Sequence, residues 1–404
     1  MAIPGGMNAF VTALVALAAA LSVGAAGAWI VVRRKHIDRW LFAYLRQVAW
    51  PAAAPSGTID ILVCVADHYE PAWLGASLDV QRRRVDEWVE KLPALCDRHR
   101  DSDGCGYRHS FFFPAEEYQP DHLDKLAHLC RQGFGDVEVH LHHDRDTAEN
   151  LRRSLLQFTS TLHERHGLLR KSDETGQIEY AFIHGNWALD NSMPDGSGCG
   201  VNDEITVLRD TGCYLDMTFP SAPSPNQPPT INSIYYATDD PRRPNSHAVG
   251  VPVRAGAAPV GDLMLIQGPL TLNWRSRVKG IAPRIENGEL TGDNPPTPER
   301  ADLWIRQGIH VANQPNWVFV KLHTHGAQES NAGVMFGAEF DRTLSHLERR
   351  YNDGVRYRLH YVTAREMYLI AKAAEAGCTG NAGRFRNDIS SAASIASVTP
   401  VLVG

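Results

Sequence analysis

The stretch "DVEVHLHHDRD", Asp136 to Asp146, joins the alternation of a β-strand to a run of histidines and carboxylates. Residues two apart in a strand point to the same side, so Glu138, His140 and His142 share one face. The apolar members of the strand share the other face: Val137, Val139 and Leu141. We expect the apolar face to pack against helices and the histidines to face the interior of a barrel. His143 points the other way and is interpreted as a solvated residue at the strand end.

On both sides of this stretch, short apolar runs alternate with segments of helical periodicity, starting at Thr58. The predicted strands lie in "TIDILVCVADHYEP", "HSFFFPAEEY", "DVEVHLHHD", "EYAFIHGNWALD", "WVFVKLHTHGA" and "YRLHYVTAREMY". Strand and helix in alternation predict parallel strands with crossover helices, that is, an α/β fold. Segment 220–298, rich in proline and glycine, is expected to form long loops with a short β excursion near "DLMLIQGPLTLNW". We assign 58–378 to one catalytic domain and 379–404 to a flexible tail.

Composition excludes several classes of protein. The chain has 404 residues, a formal net charge of −6 and a pI near 6.3, and its lysines and arginines are scattered. A nucleic-acid partner is therefore not expected. The seven cysteines are odd in number and contain no CxxC pair, so the pattern predicts neither a disulfide framework nor a cysteine zinc site.

Residues 1–35 are predicted to form a membrane anchor. From Asn8 to Val32 the chain is mostly apolar, and these 25 residues span roughly 37 Å as a helix, enough to cross a hydrocarbon core of about 30 Å. The alternative is a cleaved signal peptide, for which "VGAAGA" offers small residues at a cleavage site. Residues 36–57 are predicted to form an amphipathic juxtamembrane helix and the linker "PAAAPSG".

Basic residues on one flank of this helix predict its orientation. Arg33, Arg34 and Lys35 follow the apolar run directly, and no lysine or arginine precedes it. By the positive-inside rule this flank stays in the cytoplasm. The sequence thus predicts a single-pass protein of the inner (plasma) membrane with a cytoplasmic catalytic domain.

Polar side chains cluster where four of the predicted strands end. The clusters are Asp67 with His68, His140 with His142, His184 with Asn186, and His323 with His325. In a barrel of parallel strands the chemistry is carried at the carboxyl ends of the strands, so we expect these side chains to converge. Neutral imidazoles beside carboxylates suit a divalent ion such as zinc, which takes nitrogen and oxygen ligands. The sequence therefore predicts a metal site at this end of the fold.

The same motifs carry a resemblance to a known family. The ordered set "VADHYEP", "VEVHLHHD", "FIHGNWALD" and "FVKLHTHG", closed by "HYVTAREMY", resembles the polysaccharide deacetylase (NodB-homology) superfamily. The resemblance covers roughly Thr58 to Lys372 in order. It implies a distorted (β/α)7 barrel, here preceded by one transmembrane helix, and the metal-dependent removal of N- or O-acetyl groups from sugars.

The resemblance also implies roles for individual residues. Asp67 stands at the position of the general base and His323 at that of the general acid, with His325 as second choice. The implied metal ligands come from the histidine clusters and the aspartate that follows them: His68, His140, His142 and Asp146. No arginine near "HGNWALDN" corresponds to the family's third motif. Three residues are assigned to substrate binding, with the indole stacking on a sugar ring: His184, Asn186 and Trp187.

Two other functions stay open. A glycoside hydrolase needs two carboxylates flanking a glycosidic bond, for which Asp67 with Asp190 or Glu138 can be offered. A carbohydrate-binding barrel without catalysis is the other alternative, because the altered motifs permit it. The anchor and the resemblance together suggest a lipid-linked saccharide of envelope or exopolysaccharide metabolism as substrate. Many deacetylases of this superfamily act outside the cytoplasm, which opposes the orientation that the basic flank predicts.

Overall fold

The computed structural model describes residues 5–51, 55–278, 280 and 282–387. Most of the predicted C-terminal tail, three residues of the predicted linker and the first four residues of the predicted anchor lie outside the described residues.

Helices and strands alternate through the central part of the chain. The helices, numbered in chain order, are α1 (Gly5–Arg34), α2 (Leu41–Ala49), α3 (Leu78–Arg98), α4 (Pro120–Arg131), α5 (Ala148–Glu164), α6 (Glu204–Asp210), α7 (Pro298–Arg306), α8 (Glu329–Met335), α9 (Ala338–Arg350) and α10 (Ala364–Glu375). The strands are β1 (Ile59–His68), β2 (His109–Pro114), β3 (Gly135–Leu141), β4 (Arg170–Lys171), β5 (Ile178–His184), β6 (Cys213–Asp216), β7 (Ile234–Ala237), β8 (Val251–Pro252), β9 (Leu263–Ile266), β10 (Thr271–Val278), β11 (Ala282–Glu286), β12 (Trp317–Thr324) and β13 (Tyr357–Tyr361).

Most strands join one large sheet in the order β12-β1-β2-β3-β5-β6-β9-β7-β8. The pairings are parallel from β12 to β9, and β13 adds a further parallel strand beside the start of β1. Strand β7 is antiparallel to both of its neighbours. Parallel neighbours need a crossover connection, and here helices lie between most of the consecutive parallel strands. The predicted α/β class with parallel strands is therefore confirmed.

A closed (β/α)7 barrel is not what these pairings describe. Within the described residues the path of pairings runs from β12 to β8, and no pairing joins these two ends. The free side of β12 is met instead by an isolated parallel bridge between Glu289 and His323. The prediction is therefore confirmed for its mostly parallel sheet and not for its closed ring.

Both faces of the sheet are covered, as the continuous apolar run of β1 requires. On one face Val63 and Val65 join a core that includes residues of α3, α4 and α5. On the other face Leu62 and Cys64 join a second core that includes residues of α10. Each fully buried large apolar side chain stabilises the fold by about 1.5–3 kcal/mol relative to an exposed one.

The parallel arrangement brings the carboxyl ends of five strands to one edge of the sheet, and four of these strands carry the predicted histidine clusters. Strands β12, β1, β2, β3 and β5 are consecutive in the sheet order. The register aligns Ala66 with His323, and Leu141 with His184. The histidines that follow these strands therefore lie at the same edge.

The N-terminal helix has the length and composition of a membrane span. Its segment Phe10–Arg34 has a hydropathy of 2.2 and none of it is buried, which fits either a membrane span or a signal sequence. Helix α2 packs on the domain through Trp40, which is fully buried against Ala222, Ile231 and Leu270. The juxtamembrane helix is thus part of the folded unit.

The segment expected to form long loops contains more β structure than predicted. Strand β9 belongs to the main sheet, where it lies between β6 and β7, and β10 pairs with β11 as a separate antiparallel hairpin. The predicted β excursion near "DLMLIQGPLTLNW" corresponds to β9 and the start of β10. The short strands β7, β8 and β11 were not predicted, because they lie among prolines and glycines.

Candidate metal centre

A single carboxylate, Glu70, lies where three imidazoles meet. Nε2 of His140 is 3.2 Å and Nε2 of His142 is 3.3 Å from Glu70 Oε1. Nδ1 of His325 is 3.3 Å from Glu70 Oε2. Glu70 itself is buried and follows the end of β1 by two residues. These side chains, together with His68, are called the Glu70 cluster below.

The outer nitrogens of two rings fix which nitrogen faces Glu70. Nδ1 of His140 lies 3.0 Å from the carbonyl oxygen of Ile183, which can only accept, so this nitrogen carries the proton. Nδ1 of His142 likewise contacts Oε1 of Glu116. In neutral His140, Nε2 then presents a lone pair to the Glu70 carboxylate, an arrangement that a cation between these atoms would stabilise, and the same backing of a histidine by a carbonyl or carboxylate is usual at metal sites. When the His142 ring is protonated, its Nε2 donates to Glu70 instead.

His68 completes the cluster from the end of β1. Neither of its ring nitrogens has a hydrogen-bond partner among the described residues, although the ring is fully buried. Its ring centroid is 4.8 Å from that of His140 and 4.7 Å from that of His325. Donor atoms of His68, Glu70 and His140 all lie within 4.8 Å of one another. Imidazole nitrogen and carboxylate oxygen are ligands that zinc takes in proteins, so the residues fit such an ion.

Burial and hydrogen bonding set the protonation of these rings. Burial lowers the pKa of His68 far below its usual value and also lowers that of His140, so both rings are neutral at pH 7. Burial acts in the same direction on His142, but hydrogen bonds to Glu116 and Glu70 outweigh it and raise the pKa of this imidazole to about 10. A cation in the cluster would take the place of the proton that His142 otherwise holds.

A cleft of about 980 Å³ opens above the cluster. Among the residues that line it are Glu70, Trp73, His142, Asn186, Trp187, Arg284, Glu289, Asp293 and His325. The Trp187 ring lies 5.4 Å from His68 and 5.6 Å from His325, and its indole nitrogen has no partner among the described residues. Burial raises the pKa of Glu289, a carboxylate on the segment that bridges to β12. The cleft thus combines a candidate metal site, two indoles and additional carboxylates.

Asp67, assigned as the general base from the resemblance, does not face this cleft. Its Oδ2 is 2.9 Å from His109 Nε2, and its Oδ1 accepts from the backbone N–H of Gly326 at 2.6 Å. The side chain follows Val65 on the face of β1 that packs against helices, because neighbours along a strand point in opposite directions. The assignment of Asp67 beside His68 is corrected for this reason.

The two histidines at the end of β12 differ in their access to the cleft. His325 lines the cleft and contacts Glu70. His323 is buried and does not line the cleft. Its ring lies 6.3 Å from that of His68, and its Nδ1 has no hydrogen-bond partner among the described residues. The geometry favours His325, the second choice from sequence, over His323 for contact with a substrate.

The remaining predicted residues divide between the cleft and a second group. Asn186 and Trp187 line the cleft. His184 and Asp146 do not touch the Glu70 cluster, since His184 lies beside Glu204, and Asp146 Oδ2 lies 3.4 Å from His143 Nδ1. His143, expected to be solvated, is largely buried against Glu204, which its Nε2 approaches to 3.0 Å. The predicted ligand Asp146 is therefore placed behind His143.

Sequence reasoning missed three carboxylates of the site. Glu70 lay within the quoted "VADHYEP", two residues after His68, and that spacing was a usable signal. Glu116 comes from the short helical turn after β2, and Glu289 from the segment between β11 and α7. Neither has a local pattern that distinguishes it from a surface carboxylate.

Comparisons with known proteins add little to this description. No protein-family model matches the chain, and no curated protein does. Among solved structures, one of an alpha-mannosidase from Enterococcus faecalis V583 is similar with a TM-score of 0.41 and 9% sequence identity. The similarity covers 78% of this chain but 29% of that one, so this chain spans less than a third of the length of the mannosidase chain. A likeness at this level assigns neither a fold nor an activity, and the site is interpreted from its own geometry.

Proposed function

We propose that this protein is a metal-dependent hydrolase that uses the Glu70 cluster to remove acetyl groups from a saccharide or glycoconjugate. The observation that carries the proposal is the convergence of donor atoms of His68, Glu70 and His140 to within 4.8 Å of one another. The buried and unpartnered ring of His68 supports the same conclusion, because a buried polar group without a partner costs about 1–3 kcal/mol. Zinc is the ion that this mixture of nitrogen and oxygen donors fits best.

The side chains around the cleft are of two kinds: those that would bind the metal ion and those that would transfer protons. When bound, a divalent ion polarises the scissile carbonyl and makes a water more acidic at neutral pH. His68, Glu70 and His140 are the residues placed to hold it. We assign His325, which lines the cleft, to protonating the departing amine or alkoxide. Glu289 is assigned to accepting a proton from the attacking water, because it lines the cleft, has no imidazole within 4 Å in the described chain, and lies on the segment that bridges to β12.

The cleft supports a saccharide as substrate. Trp73 and Trp187 present two indoles to it, and indoles stack on the apolar faces of sugar rings. Its volume of about 980 Å³ is enough for more than one sugar unit. The acetyl group rests on the family resemblance of the strand-end motifs, and a lipid-linked substrate rests on the apolar helix α1.

A glycoside hydrolase is the second candidate, favoured by one observation. Glu289 and Asp293 both line the cleft, and two carboxylates are the groups that glycosidic cleavage requires. They replace Asp67, Asp190 and Glu138 as candidates for that role, because none of these three lines the cleft.

One substrate separates the two activities. p-Nitrophenyl N-acetyl-glucosaminide releases acetate if it is deacetylated and nitrophenol if its glycosidic bond is cleaved. We expect the full-length protein to release acetate, and Glu70→Gln to lose this activity by ~10²-fold or more. Asp293→Asn is the matched control, since Asp293 lines the same cleft without an ion pair to the cluster.

The outcomes discriminate among the three functions. Acetate release that needs Glu70 and not Asp293 supports the proposal. Nitrophenol release that is lost in Asp293→Asn overturns it in favour of a glycoside hydrolase. Binding of acetylated chito-oligosaccharides with neither product overturns it in favour of a carbohydrate-binding protein.

A further inference from the structure

A second group of candidate ligands lies behind the Glu70 cluster, on the opposite side of the end of β3. It consists of His143, His184, Cys199 and Glu204, whose donor atoms all lie within 4.8 Å of one another. We propose that these four residues bind a structural zinc ion, separate from the ion proposed for the Glu70 cluster. The inference does not depend on the proposed activity.

The spacing of the donor atoms suits one tetrahedral ion. His143 Nε2 is 3.0 Å from Glu204 Oε1, and His184 Nε2 is 3.7 Å from the same oxygen. Cys199 Sγ is 3.4 Å from Glu204 Oε2. Bonds of about 2.0–2.3 Å to zinc place tetrahedral ligands about 3.3–3.7 Å apart. The three distances lie close to this range, and all donor atoms are within 4.8 Å of one another, so small side-chain shifts would bring the four ligands to an ion.

The electrostatics of the group also suit a cation. Glu204, His184 and Cys199 are fully buried, and Glu204 is paired with a positive charge among the described residues only when the His143 ring is protonated, since no lysine or arginine forms an ion pair with it. A buried carboxylate is costly unless it is paired or coordinates a metal. Nε2 of His184 is buried and has no hydrogen-bond partner among the described residues. An unpartnered nitrogen aimed at a buried carboxylate is explained by an ion between them.

Contacts around the group support it as well. Asp146 Oδ2 lies 3.4 Å from Nδ1 of His143 without forming a hydrogen bond to it, near the place of a carboxylate that orients a metal-binding histidine. The backbone N–H of Val201 donates to Cys199 Sγ at 3.4 Å, which stabilises a thiolate. Two contacts oppose the arrangement: the N–H of Asn186 donates to Nδ1 of His184 at 3.2 Å, and Sγ of Cys199 lies 3.6 Å from the carbonyl oxygen of Val201, to which only a protonated thiol can donate. Metal binding through His184 Nε2 and the Cys199 thiolate requires both contacts to give way.

The position of the group indicates a structural role. Its ligands come from four segments: the residues after β3, the end of β5, the loop around Cys199 and the start of α6. Four protein ligands leave no open position, as in structural zinc sites. The segment between His184 and Cys199 carries Trp187, which adopts a left-handed backbone conformation with φ of 52°. An ion here would hold that segment against the cleft.

Sulfur makes this site distinguishable from the Glu70 cluster, which contains no cysteine. The full-length protein is loaded with zinc and measured by X-ray absorption, and in parallel it is loaded with Co²⁺ and measured by optical absorption. We expect zinc–sulfur scattering at about 2.3 Å and a thiolate-to-cobalt charge-transfer band. Both measurements use the unaltered chain, so they do not depend on whether a variant folds.

Variants then locate the sulfur ligand. Cys199→Ala should lose one equivalent of zinc and the charge-transfer band, while Cys213→Ala, a buried cysteine of β6, should keep both. Glu70→Gln should keep the charge-transfer band, whatever its activity. Absence of zinc–sulfur scattering in the folded full-length chain overturns the proposal, and so does a Cys199→Ala protein that retains the band.

Discussion

Asp67 shows how a buried carboxylate can serve a site that it does not enter. Its two oxygens are used by His109 and by the backbone N–H of Gly326. The hydroxyl of Tyr107 lies 2.9 Å from the other nitrogen of His109, and Trp88 donates to the carbonyl of Gly326. These contacts fix the turn after β12 that presents His325 to the cleft, so Asp67 acts as a positioning residue.

We predict that Asp67→Asn lowers stability without removing metal. Loss of hydrogen bonds to a charged, buried group should cost about 1–3 kcal/mol in the free energy of unfolding. The pH profile of the residual activity should keep the shape of the parent, because the residue does not exchange protons with substrate. Urea denaturation measures the first effect, with the exposed Asp173→Asn as control, which should change stability by no more than about 0.5 kcal/mol. Loss of the acidic limb of the pH profile in Asp67→Asn would restore Asp67 as the base.

Side-chain direction explains what could be predicted for individual residues. The period of two in β3 predicted that Val137 and Val139 face the helical core, and the structure confirms it. The same rule separates Asp67 from His68, and a strict use of it would have replaced Asp67 by Glu70. The opposite directions of His142 and His143 were also predictable, but the partner of His143, Glu204, is distant in sequence and carried no signal.

At the scale of elements, β3 carries a buried carboxylate, Glu138, two residues before His140 on the same face of the strand. Glu138 accepts hydrogen bonds from the Tyr214 hydroxyl and the Ala181 N–H, each at 2.6 Å. Burial, together with the charge of Asp136, raises its pKa from an ordinary value of 4.5 to about 8. Between these two values the unfolded chain releases a proton that the folded protein keeps. Stability should therefore fall as pH rises through this interval.

We predict that Glu138→Gln removes part of this dependence. The parental protein should lose on the order of 1 kcal/mol per pH unit through this group between about pH 5 and 8, and the variant should not. Chemical denaturation at a series of pH values checks the slope, with the exposed Glu164→Gln as control. Equal slopes in parent and variant would mean that Glu138 is ionised in the folded state.

The elements of the sheet were predictable where strands are long and apolar, and less so elsewhere. Strands β1, β3, β5 and β12 follow from their sequences, and their parallel pairing brings their ends together. Strand β9 has only four residues and lies among prolines and glycines, so its insertion into the main sheet had no local signal. Whether the sheet closes into a barrel depends on short strands of this kind at its far end, β9, β7 and β8. Their pairing could not be predicted from local sequence, and so neither could the absence of a closed barrel.

At the scale of the whole molecule, the apolar helix α1 lies close to the folded domain in sequence. Trp40 is buried in the domain six residues after α1 ends at Arg34, so the domain and the helix are joined by a short connection. If α1 crosses a membrane, the folded domain stays at the membrane surface. That placement would suit a substrate carried on a lipid.

The basic flank predicts that the domain lies in the cytoplasm. A reporter fused after Gly404 that works only in the cytoplasm should be active, because Arg33, Arg34 and Lys35 resist translocation. Replacing these three residues by glutamine should weaken the preference and serves as control. Activity only from a periplasmic reporter would contradict the prediction and agree with the deacetylases that the sequence resembles.

The zinc content of Glu70→Gln, measured per folded chain by mass spectrometry, tests the central claim that the Glu70 cluster binds a metal. Glu289→Gln is the control, because Glu289 lines the same cleft without an ion pair to the cluster histidines. We predict one equivalent of zinc less in Glu70→Gln than in the parental protein, and no loss in Glu289→Gln. Equal zinc in all three folded proteins would contradict the account.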